Sequence, residues 1–299
     1  MQMNTSYRSC RLCPRACGVN RENGERGVCR SGAVPLVAHS MLHKWEEPCI
    51  SGENGSGTVF FSGCPLGCVY CQNHKISSGG VGKPHSAEEL ASLFLSLQDE
   101  GAHNVNLVTA THFVPHVIAS AALARERGLS VPIVYNTSGY ESVDTLKKLA
   151  KTVDIYLTDY RYIKSETAGK YSSAKDYPSV CDEALAEMVR QTGAPLMDEN
   201  GLLRRGVIVR LLLLPGRLIE AKMILRRLFL TYGDRIYISL MSQYTPMAEC
   251  AAQYPELAHT VSPSEYRSLV DYARALGVRQ AYTQEGSAAS ESFIPPFDD

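Results

Sequence analysis

The sequence predicts an α/β fold built on a parallel sheet. From Thr58 onward, short β-rich runs alternate strictly with amphipathic helices in about six successive units. The run Val207 to Leu214 is nearly continuous in apolar residues, as suits a strand covered on both faces. At 299 residues and 44% hydrophobic, the chain is long enough to bury a sizeable core. Crossovers in such a sheet are right-handed. The sheet is either an open doubly wound layer or a full or partial barrel, and in each case functional residues belong in the loops after the C-terminal strand ends.

The elements follow in order. Thr58 to Phe61 is the first strand. Ser86 and Glu89 read as a capping box, and Leu90, Leu93, Phe94 and Leu97 fall on one face of the helix it starts. Asn106 to Thr109 is the second strand, and its helix carries Val117, Ile118, Ala121 and Ala122 up to a cap at Gly128. Val131 to Tyr135 is the third strand, followed by a helix from Glu141 to Lys151 with Leu146 and Leu149 inward. Asp154 to Leu157 is the fourth, and a longer connection leads to a helix around Cys181 to Gln191 ended by Gly193. Val207 to Leu214 is the fifth, with a helix from Ile219 to Tyr232. Ile236 to Leu240 is the sixth. The last helix has Ser262 as its N-cap, Pro263 in its first turn and Glu265 completing a capping box. Tyr266, Leu269, Val270 and Ala273 line its inner face, Gly277 ends it, and Val278 to Thr283 forms a short closing strand. Residues 1–50 lack a sustained apolar period and are expected to be irregular, ordered by something other than a core. The chain thus divides into a Cys-rich segment, 1–50, and a core domain, 51–299.

A net charge of −1 offers no general attraction to nucleic acid or to an anionic membrane. The start, Met1 to Tyr7, has no apolar run and is not a secretory signal. The longest apolar stretch, Val207 to Pro215, is interrupted by Arg210 and too short to span a bilayer. A cytoplasmic protein is expected. In a reducing compartment its ten cysteines read as metal ligands or reactive thiols, not as a disulfide framework. Seven fall in two tight groups, while Cys49, Cys181 and Cys250 are scattered and read as small core or surface residues.

The first group is Cys64-x3-Cys68-x2-Cys71, in the run Gly63-Cys64-Pro65-Leu66-Gly67-Cys68-Val69-Tyr70-Cys71-Gln72-Asn73. Iron–sulfur cubanes are ordinarily held by four cysteines. Three thiolates on one loop can hold three irons and leave the fourth open to a substrate or cofactor. Two alternatives share the spacing: a structural zinc completed by His74, and an electron-transfer cluster whose fourth ligand is a distant cysteine. The second group, Cys10-x2-Cys13-x3-Cys17-x11-Cys29, is a four-thiolate set suited to structural zinc or to an auxiliary 4Fe-4S cluster.

The Cys64–Cys71 loop, with Tyr70 before its last cysteine and a strand directly ahead of it, resembles the radical S-adenosylmethionine (radical SAM) superfamily. The likeness runs over nearly the whole chain and is nearest to the pyruvate formate-lyase activating enzyme-like branch, in a subgroup with a cysteine-rich N-terminus. The matching stretches are Cys13 to Arg21, Val134 to Tyr140, Asp154 to Tyr160, Leu240 to Tyr244 and Phe293 to Asp298. The resemblance implies a partial (β/α)6 barrel and a 4Fe-4S cluster on Cys64, Cys68 and Cys71. It further implies S-adenosyl-L-methionine on the open iron, cleaved reductively to methionine and a 5′-deoxyadenosyl radical that abstracts hydrogen.

The resemblance also suggests cofactor contacts. The family's Gly-Gly-Glu place reads Thr109-Ala110-Thr111-His112 here. Thr109 and Thr111 have hydroxyls able to accept from an ammonium, while His112 suits either a contact or a helix start without chemistry. Asn136 and Ser138 stand in the place of a Thr-Asn-Gly turn, for ribose or carboxylate. Asp159-Tyr160-Arg161 is similar to an Asp-x-Lys motif. By that resemblance Asp159 would accept from the cofactor and Arg161 would pair with its carboxylate; a surface ion pair between the two is the alternative. Arg210, within a buried apolar run, requires a partner. By the resemblance, Tyr70 and Asn73 would lie beside the adenine and Gln243 and Tyr244 would face the reacting carbon, while Tyr244 suits ordinary packing equally well. Implied partners are an electron donor such as flavodoxin or ferredoxin and a protein or peptide substrate. Installing a glycyl radical on a partner enzyme is the branch's best-known role. Modification of a peptide side chain or small molecule uses the same radical. A non-catalytic iron–sulfur carrier or a zinc-stabilised binding module is the competing class.

Overall fold

The computed structural model describes residues 5–284, so the stretch Phe293 to Asp298 lies outside the described residues. Ten strands make one sheet: β1 Leu36–His43, β2 Ser56–Phe61, β3 Lys83–Pro84, β4 Val105–Val108, β5 Ile133–Thr137, β6 Ile155–Asp159, β7 Leu196–Met197, β8 Leu203–Leu212, β9 Tyr237–Met241 and β10 Ala281–Thr283. The order is β10-β9-β8-β6-β5-β4-β2-β1-β3, with β7 attached to β8. The strands β2, β4, β5, β6, β8 and β9 lie side by side in chain order, each parallel to the next.

That order decides between the two sheets the sequence allows. A doubly wound sheet reverses its strand order at a switch point. The six parallel strands here never reverse, so right-handed crossovers put every connecting helix on one face. Those connections contain Ala87–Asp99, Val114–Glu126, Val143–Leu149, Ser165–Ser172 with Tyr177–Thr192, and Leu218–Tyr232, while Pro263–Leu276 follows β9. The other face is the inside of a partial (β/α)6 barrel. Antiparallel β1 and β3 extend one edge, and β10, parallel to β9, extends the other.

Local chemistry sets the element ends. Ser86 and Glu89 form a complete capping box, and Leu90, Phe94 and Leu97 bury the helix against the sheet. Ser262 and Glu265 do the same for Pro263–Leu276, which ends at Gly277 in the left-handed conformation.

Several boundaries differ from the sequence expectation. The first fifty residues are not irregular throughout, because β1 adds to the sheet there; its burial does not alternate, so it carries no period-2 signal. The third strand begins at Ile133, past Pro132, which cannot donate to the ladder. The following helix spans Val143–Leu149, because Glu141 is buried beneath it instead of starting it. The fifth expected strand begins four residues earlier, at Leu203; exposed Arg204 and Arg205 belong to a hairpin with β7 and hide its start.

Strand parity divides the barrel interior. Val134, Ile155, Leu157 and Ile208 point inward and form an apolar floor with Leu203, Cys49 and Ile50. The last two belong to a short helix, Pro48–Ser51, pinned by Asn104 Nδ2 donating to the Ile50 carbonyl at 2.8 Å. Asn136, Asp159 and Arg210, one parity step or more above that floor, line a cavity.

Candidate active site

The cavity has a volume of about 400 Å³ at the C-terminal end of the parallel strands. Tyr70, Cys71, Gln72 and Asn73 form one wall, on the loop that leaves β2. Asn136, Asp159, Arg161 and Arg210 face them from β5, β6 and β8, and Gln243 and Tyr244 close the side after β9. The remaining wall includes Trp45, Glu46 and Glu47, ahead of β2, and Tyr282 on β10.

An ion-pair network holds the polar wall. Asp159 Oδ2 accepts from Arg161 Nη2 at 2.6 Å, and Asp159 Oδ1 accepts from Arg210 Nε at 2.8 Å. Arg210 Nη2 donates to Asn136 Oδ1 at 2.7 Å and its Nη1 to Glu46 Oε2 at 3.4 Å. Glu46 Oε1 also accepts from Asn106 and Asn136 at 3.1 and 3.3 Å. Burial alone pushes the Asp159 carboxyl up, but Arg210 and Arg161 outweigh it and hold that carboxyl below its ordinary range. Glu46 and Glu47 go the other way. Burial raises both against the pull of Arg210, Glu47 to about 7.

The cysteine loop is tied to its surroundings through its own atoms. Arg161 Nη1 and Ser172 Oγ donate to Cys68 Sγ at 3.3 and 3.0 Å, and the Leu66 amide donates to Cys64 Sγ at 3.4 Å. Arg15, from the N-terminal segment, clamps the loop from outside by donating to the carbonyls of Pro65, Leu66, Ser172 and Ser173. Burial, then Cys71 and Cys68, pushes the Cys64 thiol up to about 12, and burial with Cys68 raises Cys71. Thiols so buried ionise only against nearby positive charge, which a metal cluster supplies. Donors already aimed at the sulfurs fit such a cluster. Among the described residues no three His, Cys, Asp or Glu side chains stand in metal-holding geometry, so spacing and surroundings are what speak for each thiol set.

In the N-terminal set, Cys10, Cys13 and Cys29 are buried and Cys17 is exposed. Cys10 anchors a tight turn, accepting from Gly18 N and donating to the Val19 carbonyl. Arg21 lies beneath it, only 2% exposed. Its donors go to the carbonyls of Ser31, Gly32 and His112 and to Cys10 Sγ at 3.7 Å, with Tyr7 and Phe113 against its guanidinium. A buried guanidinium served, among the described residues, only by carbonyls and a thiol fits an anionic thiolate–metal centre.

Four sequence candidates do not line the cavity. Thr109 has the outward parity and a positive φ of 59° where the chain leaves the sheet. The Thr111 hydroxyl bonds Glu141, and the Ser138 carbonyl accepts from Tyr177. His112 is buried against the Ser62 carbonyl, its pKa pushed down to about 3, chiefly by burial. Conversely, Glu46 and Glu47 escaped the sequence reading. Their available signal was an acidic pair between Trp45 and Pro48 with no helical period around it.

The Radical SAM superfamily model matches residues 58–168. The chain is 26% identical over 283 residues to Uncharacterized protein MJ0674 of Methanocaldococcus jannaschii, covering 92% of this chain and 77% of that one. It is similar in structure to Streptococcus suis SuiB bound to S-adenosylmethionine, with TM-score 0.49, 12% identity and 75% of this chain covered. It spans only 48% of that SuiB chain. Methylornithine synthase (PylB) gives TM-score 0.48 and 15% identity, covering 74% of this chain and 68% of that one. The region matched by the Radical SAM superfamily model contains the three-cysteine loop, which leads from β2 into the cavity.

Proposed function

We propose that the protein is an enzyme that cleaves S-adenosylmethionine reductively and uses the 5′-deoxyadenosyl radical to take a hydrogen atom from a substrate in the cavity. The carrying observation is the position of the Cys64–Cys71 loop, which leaves β2 and sets Tyr70, Cys71 and Asn73 in the cavity wall opposite Asp159, Arg161 and Arg210. When bound on Cys64, Cys68 and Cys71, a 4Fe-4S cluster with one open iron supplies the electron. The chain's own residues do the remaining work. Arg161 offers hydrogen bonds to Cys68 and to Asp159 at once, linking the cluster loop to the polar wall. Asn73, Asn136 and Gln243 give polar contacts for the cofactor, and Tyr70, packed edge-on against Tyr162, Tyr171 and Tyr244, backs the loop.

Anaerobic reconstitution tests this assignment. Wild-type protein is expected to bind iron and sulfide and to change its electron paramagnetic resonance spectrum when S-adenosylmethionine is added. Cys64→Ser, Cys68→Ser and Cys71→Ser should lose that response. A loaded wild-type cluster whose spectrum ignores the cofactor contradicts the open iron.

Cys10, Cys13, Cys17 and Cys29 form a second metal site in this reading, supported by their spacing and by Arg21 beneath Cys10. Metal analysis of the Cys10→Ser/Cys13→Ser variant distinguishes zinc from iron there; unchanged zinc and iron contents speak against any such site. The matching stretches support a finer reading, activation of a glycyl radical enzyme with a flavodoxin or ferredoxin as electron donor.

A further inference from the structure

Three carboxylates line the cavity, Glu46, Glu47 and Asp159, against two guanidiniums, Arg161 and Arg210. Asp159 accepts from both guanidiniums, and Glu46 accepts from Arg210. Glu47 is different. It is 7% exposed, and its Oε2 is buried with no hydrogen-bond partner among the described residues. Asn106 Oδ1, on the side chain whose amide holds Glu46, is a second buried atom without a partner. With Glu47 ionised, both orphans are acceptors, so what each lacks is a donor. Trp45, 66% exposed, and Tyr282, stacked on Tyr237 at 5.5 Å, add aromatic faces to the same cavity. A carboxylate short of donors beside aromatic rings is a site for a cation.

We propose that Glu47 anchors a primary ammonium group of the substrate, held between its carboxylate and the aromatic side chains of Trp45 and Tyr282. The proposal rests on the reading above only in taking this cavity as the substrate site.

Trp45 is the chain's single tryptophan, so its emission reports on the cavity directly. The full-length protein with its cluster loaded is titrated with three probes: n-butylammonium, Nα-acetyl-lysine methylamide and Nα-acetyl-norleucine methylamide. Both ammonium probes are expected to change the emission saturably. The norleucine probe is expected to bind at least about tenfold more weakly. Glu47→Gln should erase that tenfold preference, and Glu47→Asp, which keeps the charge, should retain it if the glutamine variant fails to fold. Tighter binding of the lysine probe than of butylammonium supports a side chain in a peptide, and equal binding supports a free amine. The proposal is overturned if the norleucine probe binds equally, if no probe binds saturably, or if Glu47→Gln keeps the preference. It is also overturned if S-adenosylmethionine affinity falls by the same factor in Glu47→Gln, which gives the carboxylate to the cofactor's own ammonium. Absent ammonium binding with intact 5′-deoxyadenosine formation fails this inference alone, and the converse fails the cleavage reading alone.

Discussion

Asp159 is the residue on which the polar wall turns. It accepts from two guanidiniums, so Asp159→Asn leaves Arg161 and Arg210 short of a buried counter-charge and should destabilise the fold by about 3 kcal/mol or more. Urea unfolding measures it, and a loss well under about 1 kcal/mol contradicts the network. Glu141 makes a second prediction, on pH. It is buried, accepts from Thr111, Thr137 and Tyr135, and burial raises its carboxyl to about 7. A carboxyl raised in the folded state favours folding fully below its unfolded value, and the benefit fades as pH rises through the folded value. Wild-type stability should therefore fall between about pH 4 and about pH 7 by more than that of Glu141→Gln. Parallel unfolding curves of the two proteins across that window contradict the assignment.

At the scale of elements, the N-terminal segment is a brace for the cysteine loop. Gly63 begins that loop at φ 88°, and a β-carbon added there would collide with Ser31 Oγ and lie 2.6 Å from the Cys29 carbonyl. Gly63→Ala should cost about 2 kcal/mol or more in unfolding free energy, because both the backbone angle and the contact forbid it. Arg15→Ala removes the donors to the carbonyls of Pro65, Leu66, Ser172 and Ser173. Amide exchange over residues 66–70 is expected to speed up about tenfold or more, while the Ser86-capped helix is unaffected. Equal exchange in both proteins removes the brace. The capping boxes at Ser86 and Ser262 were legible in the sequence because their signal is local. Strand β1 was not, because an antiparallel strand at the edge of the parallel run, half-buried along most of its length, shows neither alternation nor a continuous apolar run.

Across the whole molecule, strand-helix alternation announced the parallel sheet, while the absence of a reversal, which makes it a partial barrel, exists only in the pairing of strands. The site was legible to the same degree. Residues at strand ends with inward parity, Asn136, Asp159 and Arg210, reach the cavity together with the cysteine loop. Thr109 and His112, close in sequence to a strand end, turn away because parity and the brace place them outside. Glu46 and Glu47 arrive from a segment ahead of the barrel, a long-range placement that no local pattern encodes. The proposed reaction is reductive cleavage of S-adenosylmethionine at a cluster held by Cys64, Cys68 and Cys71. The most direct test is 5′-deoxyadenosine released by the anaerobically reconstituted, chemically reduced protein. Product is expected from the wild type and none from Cys64→Ser, Cys68→Ser or Cys71→Ser; no product from a reduced, fully loaded wild-type cluster would overturn the proposed reaction.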